Sequence, residues 1–271
     1  MTFPVWIDLG FVTLHPHTVF EALAYFLSFR VYLYTRTKGA LRIDQGMWII
    51  VGAIIGAAIG SKVLYWFEDP QQLLQRWNDY VYLMGGKTIV GGLLGGLIGV
   101  ELMKQRLGIT RSTGDDMTLP LIMGIAIGRI GCFLTGLDDH TYGTPTTWIT
   151  AIDFGDGIPR HPTQLYELFF LLLLATLLLC YKYQLRKRQA SALTSSMSLP
   201  NGAIFQLFMT SYLAFRFAID FIKPTPHPYF GLNNIQLACL IGLIYYGSLL
   251  YQWIGKPHHN YAEESNYANQ K

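Results

Sequence analysis

Seven stretches of apolar residues, each close to the length of a membrane-spanning helix, dominate the sequence. A helix of about 20 residues crosses the hydrocarbon core of a bilayer, so the pattern predicts a chain that crosses a membrane repeatedly. The stretches cover approximately residues 17–35, 46–67, 86–104, 117–135, 163–183, 203–222 and 235–254. We therefore predict an all-α polytopic membrane protein with one seven-helix domain over residues 1–254 and a cytoplasmic tail over residues 255–271.

The composition agrees with a membrane protein and disfavours other classes. Only 14% of the residues are charged and 51% are hydrophobic, whereas soluble domains carry roughly 25% charged residues. The net charge of +3 offers no strongly basic surface, so we expect no nucleic-acid partner. Cys132, Cys180 and Cys239 lie in apolar runs without the spacing of disulfide or metal sites. We therefore expect neither a disulfide framework nor a metal or other cofactor.

The distribution of lysine and arginine over the loops predicts the orientation of the chain. Cytoplasmic loops of membrane proteins carry an excess of these residues, and here twelve basic residues in one set of loops face three in the alternate set. This asymmetry predicts an outer N-terminus and a cytoplasmic C-terminus. The twelve are Arg36, Lys38, Arg42, Lys104, Arg106, Arg111, Lys182, Arg186, Lys187, Arg188, Lys256 and Lys271, and the three are Arg76, Arg160 and Lys223.

Several ionisable side chains lie inside the predicted spans, and the predicted topology brings seven of them to the outer third of the bilayer. Charges at this depth are costly and normally face a cavity or a partner. One interpretation is a set of helix-pinning ion pairs, such as Arg216 with Asp220 four residues later. The convergence as a whole favours a polar cavity open to the outer leaflet. The seven residues are Glu21, Lys62, Lys87, Arg129, Glu167, Arg216 and Asp220.

Glycines recur at every fourth position in the second and third spans. Small residues at this spacing allow membrane helices to approach closely, so we predict that these two spans pack tightly. The glycines are Gly52, Gly56 and Gly60 in one span and Gly91, Gly95 and Gly99 in the other.

Three polar motifs carry a resemblance to a known family. They are G-R-I-G-C-F at 128–133, R-H-P-T-Q-L-Y-E at 160–167 and F-R-F-A-I-D-F at 215–221. In this order, and over most of the chain, they resemble prolipoprotein diacylglyceryl transferase. That family moves diacylglyceryl from phosphatidylglycerol to a lipobox cysteine in the bacterial inner membrane. The resemblance implies seven spans, an outer N-terminus and a site toward the outer face.

The resemblance also implies roles for individual residues. Arg129 and Arg216 match family positions, and guanidinium groups suit phosphate recognition. We expect them to hold a phosphatidylglycerol-like donor and to stabilise charge on the leaving glycerol phosphate. The acceptor would be an extracytoplasmic thiol or hydroxyl, such as that of a lipoprotein precursor. Candidate catalytic residues are His161, Glu167, Glu21, Asp220 and Lys87, and further candidates for substrate binding are Arg160, Gln164, Tyr166, Gln236 and Lys62.

The chain departs from the family pattern at positions that carry the family's chemistry. The glycine-rich segment G-G-x-x-F-H-G-G has a functionally important histidine, and Val90 stands at that position. In the signature G-R-x-G-N-F-x-N-G-E, the two asparagines and the glutamate are replaced by Cys132, Thr135 and Leu137. Glu21 stands where the first span of the family has an important tyrosine.

These departures leave more than one function open. Substitute acid and base groups from His15, His17, Glu21, Lys87 or residues 138–140 would retain proton transfer. The chain would then be a phospholipid-dependent transferase of the inner membrane. Alternatively, it has kept the scaffold and the phosphate site as a non-catalytic protein that binds or transports lipid. A third interpretation is a lipid-bound assembly factor for an envelope protein.

Overall fold

The structure is a computed structural model that describes residues 3–37, 41–190 and 201–255. Most of the predicted tail therefore lies outside the described residues. Each predicted apolar stretch falls on one long helix, and two short helices lie between the second and third of these. The long helices are α1 (Pro16–Thr35), α2 (Ile43–Trp66), α5 (Ile89–Leu107), α6 (Gly114–Thr135), α7 (Thr163–Ala190), α8 (Ala203–Ile219) and α9 (Asn234–Gly255), and the short ones are α3 (Pro70–Gln75) and α4 (Tyr80–Met84).

Five helical segments among the described residues are long and apolar enough to cross a membrane. They are Ile43–Trp66, Gly114–Asp139, Thr163–Leu185, Ala203–Ile222 and Asn234–Gln252. Helix α1 carries Glu21 and Arg30 within its length, and α5 ends in a segment with three charged residues, so both are more polar. The membrane character is confirmed, whereas the count of seven crossings and the orientation stay predictions.

The predicted close contact between the second and third spans is confirmed. A Cβ atom added to Gly52 would lie 2.8 Å from the carbonyl oxygen of Gly99, and added atoms at Gly56 and Gly60 would lie even closer to the facing backbone. Only glycine fits at such distances, because any side chain would collide with the partner helix. The facing pairs are Gly52 with Gly99, Gly56 with Gly95 and Gly60 with Gly91.

Helix α6 lies against α1 on one side and against α7 and α8 on the other. Its contact with α1 is also close, because a Cβ atom at Gly131 would lie 2.7 Å from Cβ of Phe20. On the opposite side, the core contains fully buried side chains such as Leu171, Phe208 and Tyr212. Helix α6 is therefore the element that both candidate clusters described below share.

The loops that connect the helix ends contain two small hairpins. Strand β1 (Ile7–Asp8) pairs antiparallel with β2 (Thr13–Leu14), and β3 (Ile152–Asp153) pairs with β4 (Pro159–Arg160). A 3₁₀ turn over Gly136–Asp139 follows α6, and a second over Asp220–Ile222 follows α8. The loop 136–162 thus forms a small cap with one 3₁₀ turn and one hairpin.

Candidate functional site

A network of charged side chains lies buried among α6, α7 and α8. The carboxylate of Glu167 accepts from Arg129 Nη2 at 2.8 Å, from Arg216 Nη1 at 2.9 Å and from the hydroxyl of Tyr212 at 2.7 Å. Arg216 Nη2 also donates to Asp220 Oδ1 at 2.9 Å. Exposure of these side chains is 5% or less. We call these five residues the buried ion cluster.

The spacing along α8 explains how this cluster forms. Tyr212, Arg216 and Asp220 follow one another at intervals of four residues and therefore share one side of the helix. The pair of Arg216 with Asp220, expected as a helix-pinning interaction, is present. It is not isolated, however, because Glu167 of α7 joins it to Arg129 of α6. Three helices are thus linked by one carboxylate.

Several buried polar atoms near this cluster have no hydrogen-bond partner among the described residues. They include Nε of Arg129, Nε of Arg216 and both amide atoms of Gln164, which lies one turn before Glu167 on α7. Buried polar groups are nearly always paired, so an unpaired set requires an explanation. Three of these atoms are donors or carry donors, which suits an acceptor-rich anionic group such as phosphate.

Lys223 adds another basic group beside the cluster. Its Nζ lies 3.8 Å from Asp220 Oδ1, and the side chain is buried. Burial and the neighbouring Arg216 lower the pKa of the Lys223 amine to about 7.

A second group of polar side chains lies on the other side of α6, near its contact with α1. Lys87 Nζ donates to Glu21 Oε1 at 2.6 Å, and His17 Nδ1 lies 3.0 Å from Asp139 Oδ1. His17 Nε2 faces Glu21 Oε2 at 3.7 Å. The side chains of Lys87, His17 and Glu21 are 63%, 38% and 31% exposed. We call Lys87, Glu21, His17, Asp139 and Cys132 the open cluster.

Cys132 connects the two clusters. Its sulfur lies 3.8 Å from Arg129 Nη1 and within 4.8 Å of ligand atoms of both His17 and Asp139. Sequence reasoning considered His17 and Asp139 but gave Cys132 no role, because its apolar surroundings resemble a packed core. The available signal was its position, where the family signature has asparagine. Asp138 and His140, the neighbours of Asp139, are exposed.

Lys62 and the segment before α5 form a structural support. Lys62 Nζ donates to the carbonyl oxygens of Met84, Gly85 and Gly86, the last at 2.9 Å. Thr88 N donates to Ser61 Oγ at 2.9 Å in the same region. Lys62 therefore supports the backbone of the segment that carries Lys87, and its predicted substrate contact stays a prediction.

Arg160, His161 and Tyr166 make their hydrogen bonds within the loop before α7 and the first turn of that helix. Arg160 forms a bidentate ion pair with Asp156 at 2.7 Å, and its guanidinium carbon lies 5.2 Å from the ring centre of Tyr142. His161 Nδ1 lies 3.1 Å from the hydroxyl of Tyr166. The described contacts do not bring these three predicted site residues into either cluster.

Gln236 also has a role in the fold itself. Its backbone N–H donates to Asn233 Oδ1 at 2.6 Å, while its side-chain oxygen accepts from Asn233 N at 2.9 Å. This reciprocal pair is a capping box at the start of α9. Asn233 in turn reaches Asp220 Oδ2 at 3.5 Å. The predicted binding residue therefore stabilises the helix end behind Asp220.

Val90, at the position of the family histidine, is part of the hydrophobic core. Its exposure is 1%, and it packs with residues of α6 to α9. No proton-transfer group is available at this point of α5.

Comparison with known proteins agrees with this architecture and with the three motifs. The model of the family described as prolipoprotein diacylglyceryl transferase matches residues 4–253. The phosphatidylglycerol–prolipoprotein diacylglyceryl transferase of Nitratidesulfovibrio vulgaris is 34% identical over 212 residues, which are 73% of this chain and 71% of the relative.

Two Bordetella proteins with the same name extend the match. That of Bordetella parapertussis is 31% identical over 79% of this chain and 78% of its own length. That of Bordetella avium is 27% identical over 94% of this chain and 89% of its own length. Because the family model and these alignments span most of the polypeptide, the chain belongs to the prolipoprotein diacylglyceryl transferase family.

Proposed function

We propose that this protein is a phospholipid-dependent transferase that moves a diacylglyceryl group from phosphatidylglycerol to an extracytoplasmic acceptor. The names of its relatives give both the donor and a prolipoprotein acceptor. In this proposal the chain crosses the bacterial inner membrane seven times with its N-terminus outside. Both clusters then lie toward the outer face, where a prolipoprotein is accessible.

The observation that carries the proposal is the set of unpaired buried donors beside the buried ion cluster. Nε of Arg129, Nε of Arg216 and the amide of Gln164 remain available after every other contact is counted. Arg129 and Arg216 are held side by side by their shared bond to Glu167 Oε2. A phosphodiester oxygen accepts from such donors more strongly than a neutral group does.

The chemistry that this arrangement supports is displacement at carbon. The acceptor sulfur forms a bond to the terminal glycerol carbon of the diacylglyceryl group, and the bond from that carbon to the phosphate oxygen breaks. Glycerol phosphate departs with the electron pair, so negative charge grows on its oxygens. Arg129 and Arg216 are positioned by Glu167 and Asp220 to stabilise that charge.

The two carboxylates of the buried ion cluster act as positioning residues in this proposal. Glu167 is bonded to two guanidinium groups and a hydroxyl, and Asp220 to Arg216, with Lys223 nearby. Both carboxylates are therefore occupied in holding the guanidinium groups. Proton transfer falls instead to the open cluster, where Glu21 and Lys87 reach the solvent.

Turnover of a labelled donor tests the proposal. Purified protein is incubated with phosphatidylglycerol labelled in its headgroup glycerol and with a lipobox peptide, and release of labelled glycerol phosphate is measured. We expect release that depends on the peptide thiol and that is lost in Arg129→Ala. The matched control is Arg106→Ala, which changes an exposed arginine near the C-terminal end of α5. Absence of release with both thiol and hydroxyl acceptors would contradict the proposal.

A non-catalytic lipid-binding protein is the second candidate, and the position of Val90 favours it. A valine buried in the core cannot replace the family histidine. This candidate predicts that phosphatidylglycerol binds to the wild type, that Arg129→Ala weakens the binding, and that no glycerol phosphate is released. The same assay, combined with a binding measurement, therefore separates the two functions.

A further inference from the structure

We propose that His17, Cys132 and Asp139 form a zinc site, in which zinc holds the acceptor thiol as a thiolate. The site deepens the proposed transferase function, and its catalytic role depends on that function. The three residues come from α1, α6 and the turn after α6, so the site forms only in the folded protein. Sulfur, imidazole nitrogen and carboxylate oxygen are the ligand types that zinc takes in proteins.

The mutual distances favour a metal over a catalytic relay. In a relay the imidazole lies between the thiol and the carboxylate, which places sulfur and oxygen roughly 7 Å apart. Here one ligand atom from each residue lies within 4.8 Å of the other two. The three atoms therefore form a triangle and not a line.

The size of the triangle is close to that required by the ion. With bonds of 2.0–2.3 Å to zinc, neighbouring ligand atoms are about 3.3–3.7 Å apart. His17 Nδ1 and Asp139 Oδ1 are already 3.0 Å apart. The sulfur of Cys132 lies within 4.8 Å of both of these atoms, and a small rotation of its side chain brings it closer.

His17 and Asp139 each contact a further polar side chain, as metal-binding residues usually do. Nε2 of His17 faces Glu21 Oε2 at 3.7 Å, and Asp139 accepts a hydrogen bond from the hydroxyl of Thr141. Metal-binding histidines usually direct their second nitrogen at a carboxylate or carbonyl, which orients the ring. Glu21 is itself held by Lys87 at 2.6 Å and by the hydroxyl of Tyr25 at 3.0 Å.

The nearest positive charge is compensated. Nη1 of Arg129 donates to the sulfur of Cys132 at 3.8 Å. The guanidinium charge is balanced by Glu167 at 2.8 Å. The half-exposed His17 leaves access for a fourth ligand, and three protein ligands with one open position are the pattern of catalytic zinc sites.

Such a site would work together with the proton transfer that the open cluster supplies in the proposed function. A thiol that coordinates zinc is deprotonated, and its proton passes to the solvent. The sulfur then forms the bond to the glycerol carbon while the bond to the phosphate oxygen breaks. The donor phosphate beside Arg129 and the acceptor sulfur on the zinc would be close neighbours, because Arg129 Nη1 lies 3.8 Å from the sulfur of Cys132. The cysteine that replaces the family asparagine is thus the residue that creates the metal site.

Metal content and cobalt spectroscopy test the inference without any need for turnover. Full-length protein purified without chelator is expected to contain about one zinc per chain, and the metal-free form to take up Co²⁺ with a thiolate charge-transfer absorption. Cys132→Ser should abolish that absorption, whereas Cys180→Ser, at an exposed site on α7, should retain it. Asp139→Asn should weaken metal binding at least tenfold, compared with its exposed neighbour variant Asp138→Asn.

The unfolding temperature, measured with and without zinc, distinguishes loss of metal binding from poor folding of a variant. Added zinc should raise the unfolding temperature of the wild type and of His227→Ala but not that of His17→Ala, because only a site that binds in the folded state is stabilised. A wild type without zinc, cobalt absorption or thermal shift would overturn the inference. Metal binding without transfer would refute only the proposed function, and transfer unaffected by complete metal removal would refute only the role of zinc.

Discussion

The two clusters on either side of α6 contain similar residue types but hold them in opposite ways. In the buried ion cluster, Glu167 has three partners and an exposure of 1%. In the open cluster, Glu21 is 31% exposed and its lysine partner 63% exposed. The first arrangement fixes the positions of Arg129 and Arg216. The second leaves the side chains of Glu21 and Lys87 in contact with solvent.

The comparison shows that the contribution of an ion pair to stability depends on how deeply the pair is buried. A buried ion pair gains little net stability over an apolar packing, yet removal of one partner is costly because the other charge stays buried. An exposed pair contributes little in either direction. Substitutions in the two clusters should therefore differ strongly in stability, and the following predictions test this difference.

The largest effect is expected for Glu167→Gln. The variant leaves the guanidinium groups of Arg129 and Arg216 without their shared carboxylate, at a cost of about 3–5 kcal/mol in the free energy of unfolding. Unfolding in detergent, followed by tryptophan fluorescence, measures the change. Glu21→Gln in the open cluster is the matched control and should cost less than about 1 kcal/mol. Equal effects of the two variants would remove the distinction between the clusters.

Arg129→Ala should reduce turnover about 10²–10³-fold, which is the usual loss when one group that stabilises developing negative charge is removed. The rate of glycerol phosphate release at saturating donor measures this effect. Arg129→Lys retains the charge but not the planar donor set, and should recover only part of the rate. Full activity of Arg129→Ala would show that the buried ion cluster has a purely structural role.

Tyr212→Phe removes the hydroxyl that donates to Glu167 at 2.7 Å. A hydrogen bond to a charged group contributes about 1.5–3 kcal/mol, so the free energy of unfolding should fall by that amount. Tyr25→Phe removes the corresponding hydroxyl bond to Glu21, where the exposed setting predicts a much smaller loss. Thermal unfolding of both variants measures the contrast, which a larger loss in Tyr25→Phe would reverse.

Gly131→Ala tests the open cluster through its backbone support. The new methyl group would lie 2.7 Å from Cβ of Phe20, so α1 has to move away from α6 at a cost of about 1–3 kcal/mol. His17 would move away from Cys132, and cobalt binding should weaken. Gly128→Ala on the same helix meets no atom within 4 Å and serves as the control. Unchanged cobalt affinity in Gly131→Ala would contradict the described contact.

The smallest effect on stability is expected for Lys87→Gln. The substitution breaks the ion pair with Glu21, and because Lys87 is largely exposed the free energy of unfolding should change by less than about 1 kcal/mol. High salt should weaken the same pair in the wild type. Chemical denaturation at low and high salt measures both effects. A loss of several kcal/mol would mean that the open cluster is as rigid as the buried one.

The helices were predictable because the membrane imposes a length on each apolar stretch. The glycine contacts between α2 and α5 were predictable for a similar reason, since a repeat of four residues marks one helix face. The pairing of Arg216 with Asp220 also follows from spacing alone. In each case the relevant partners are close in sequence or share one period.

The open cluster was harder to predict because its members come from distant parts of the chain. His17 and Asp139 are 122 positions apart in the numbering, and only the close packing of α1 on α6 at Gly131 brings them together. Cys132 looked like a core residue among apolar neighbours. Arg160 and His161 look functional in the motif, and their hydrogen bonds to Asp156 and Tyr166 could not be predicted from it.

The glycine contact between α2 and α5 has a mechanical consequence for lipid access. It makes these two helices a stiff pair, and Lys62 and Ser61 fasten Lys87 to that pair. Helices α1 and α6 form a second tight pair that carries Glu21. The salt bridge of Lys87 with Glu21 therefore connects the α2–α5 pair to the α1–α6 pair. Breaking an exposed ion pair of this kind costs about 1 kcal/mol, so the salt bridge is broken in roughly one molecule in six. Its breaking therefore need not limit the entry of a phospholipid.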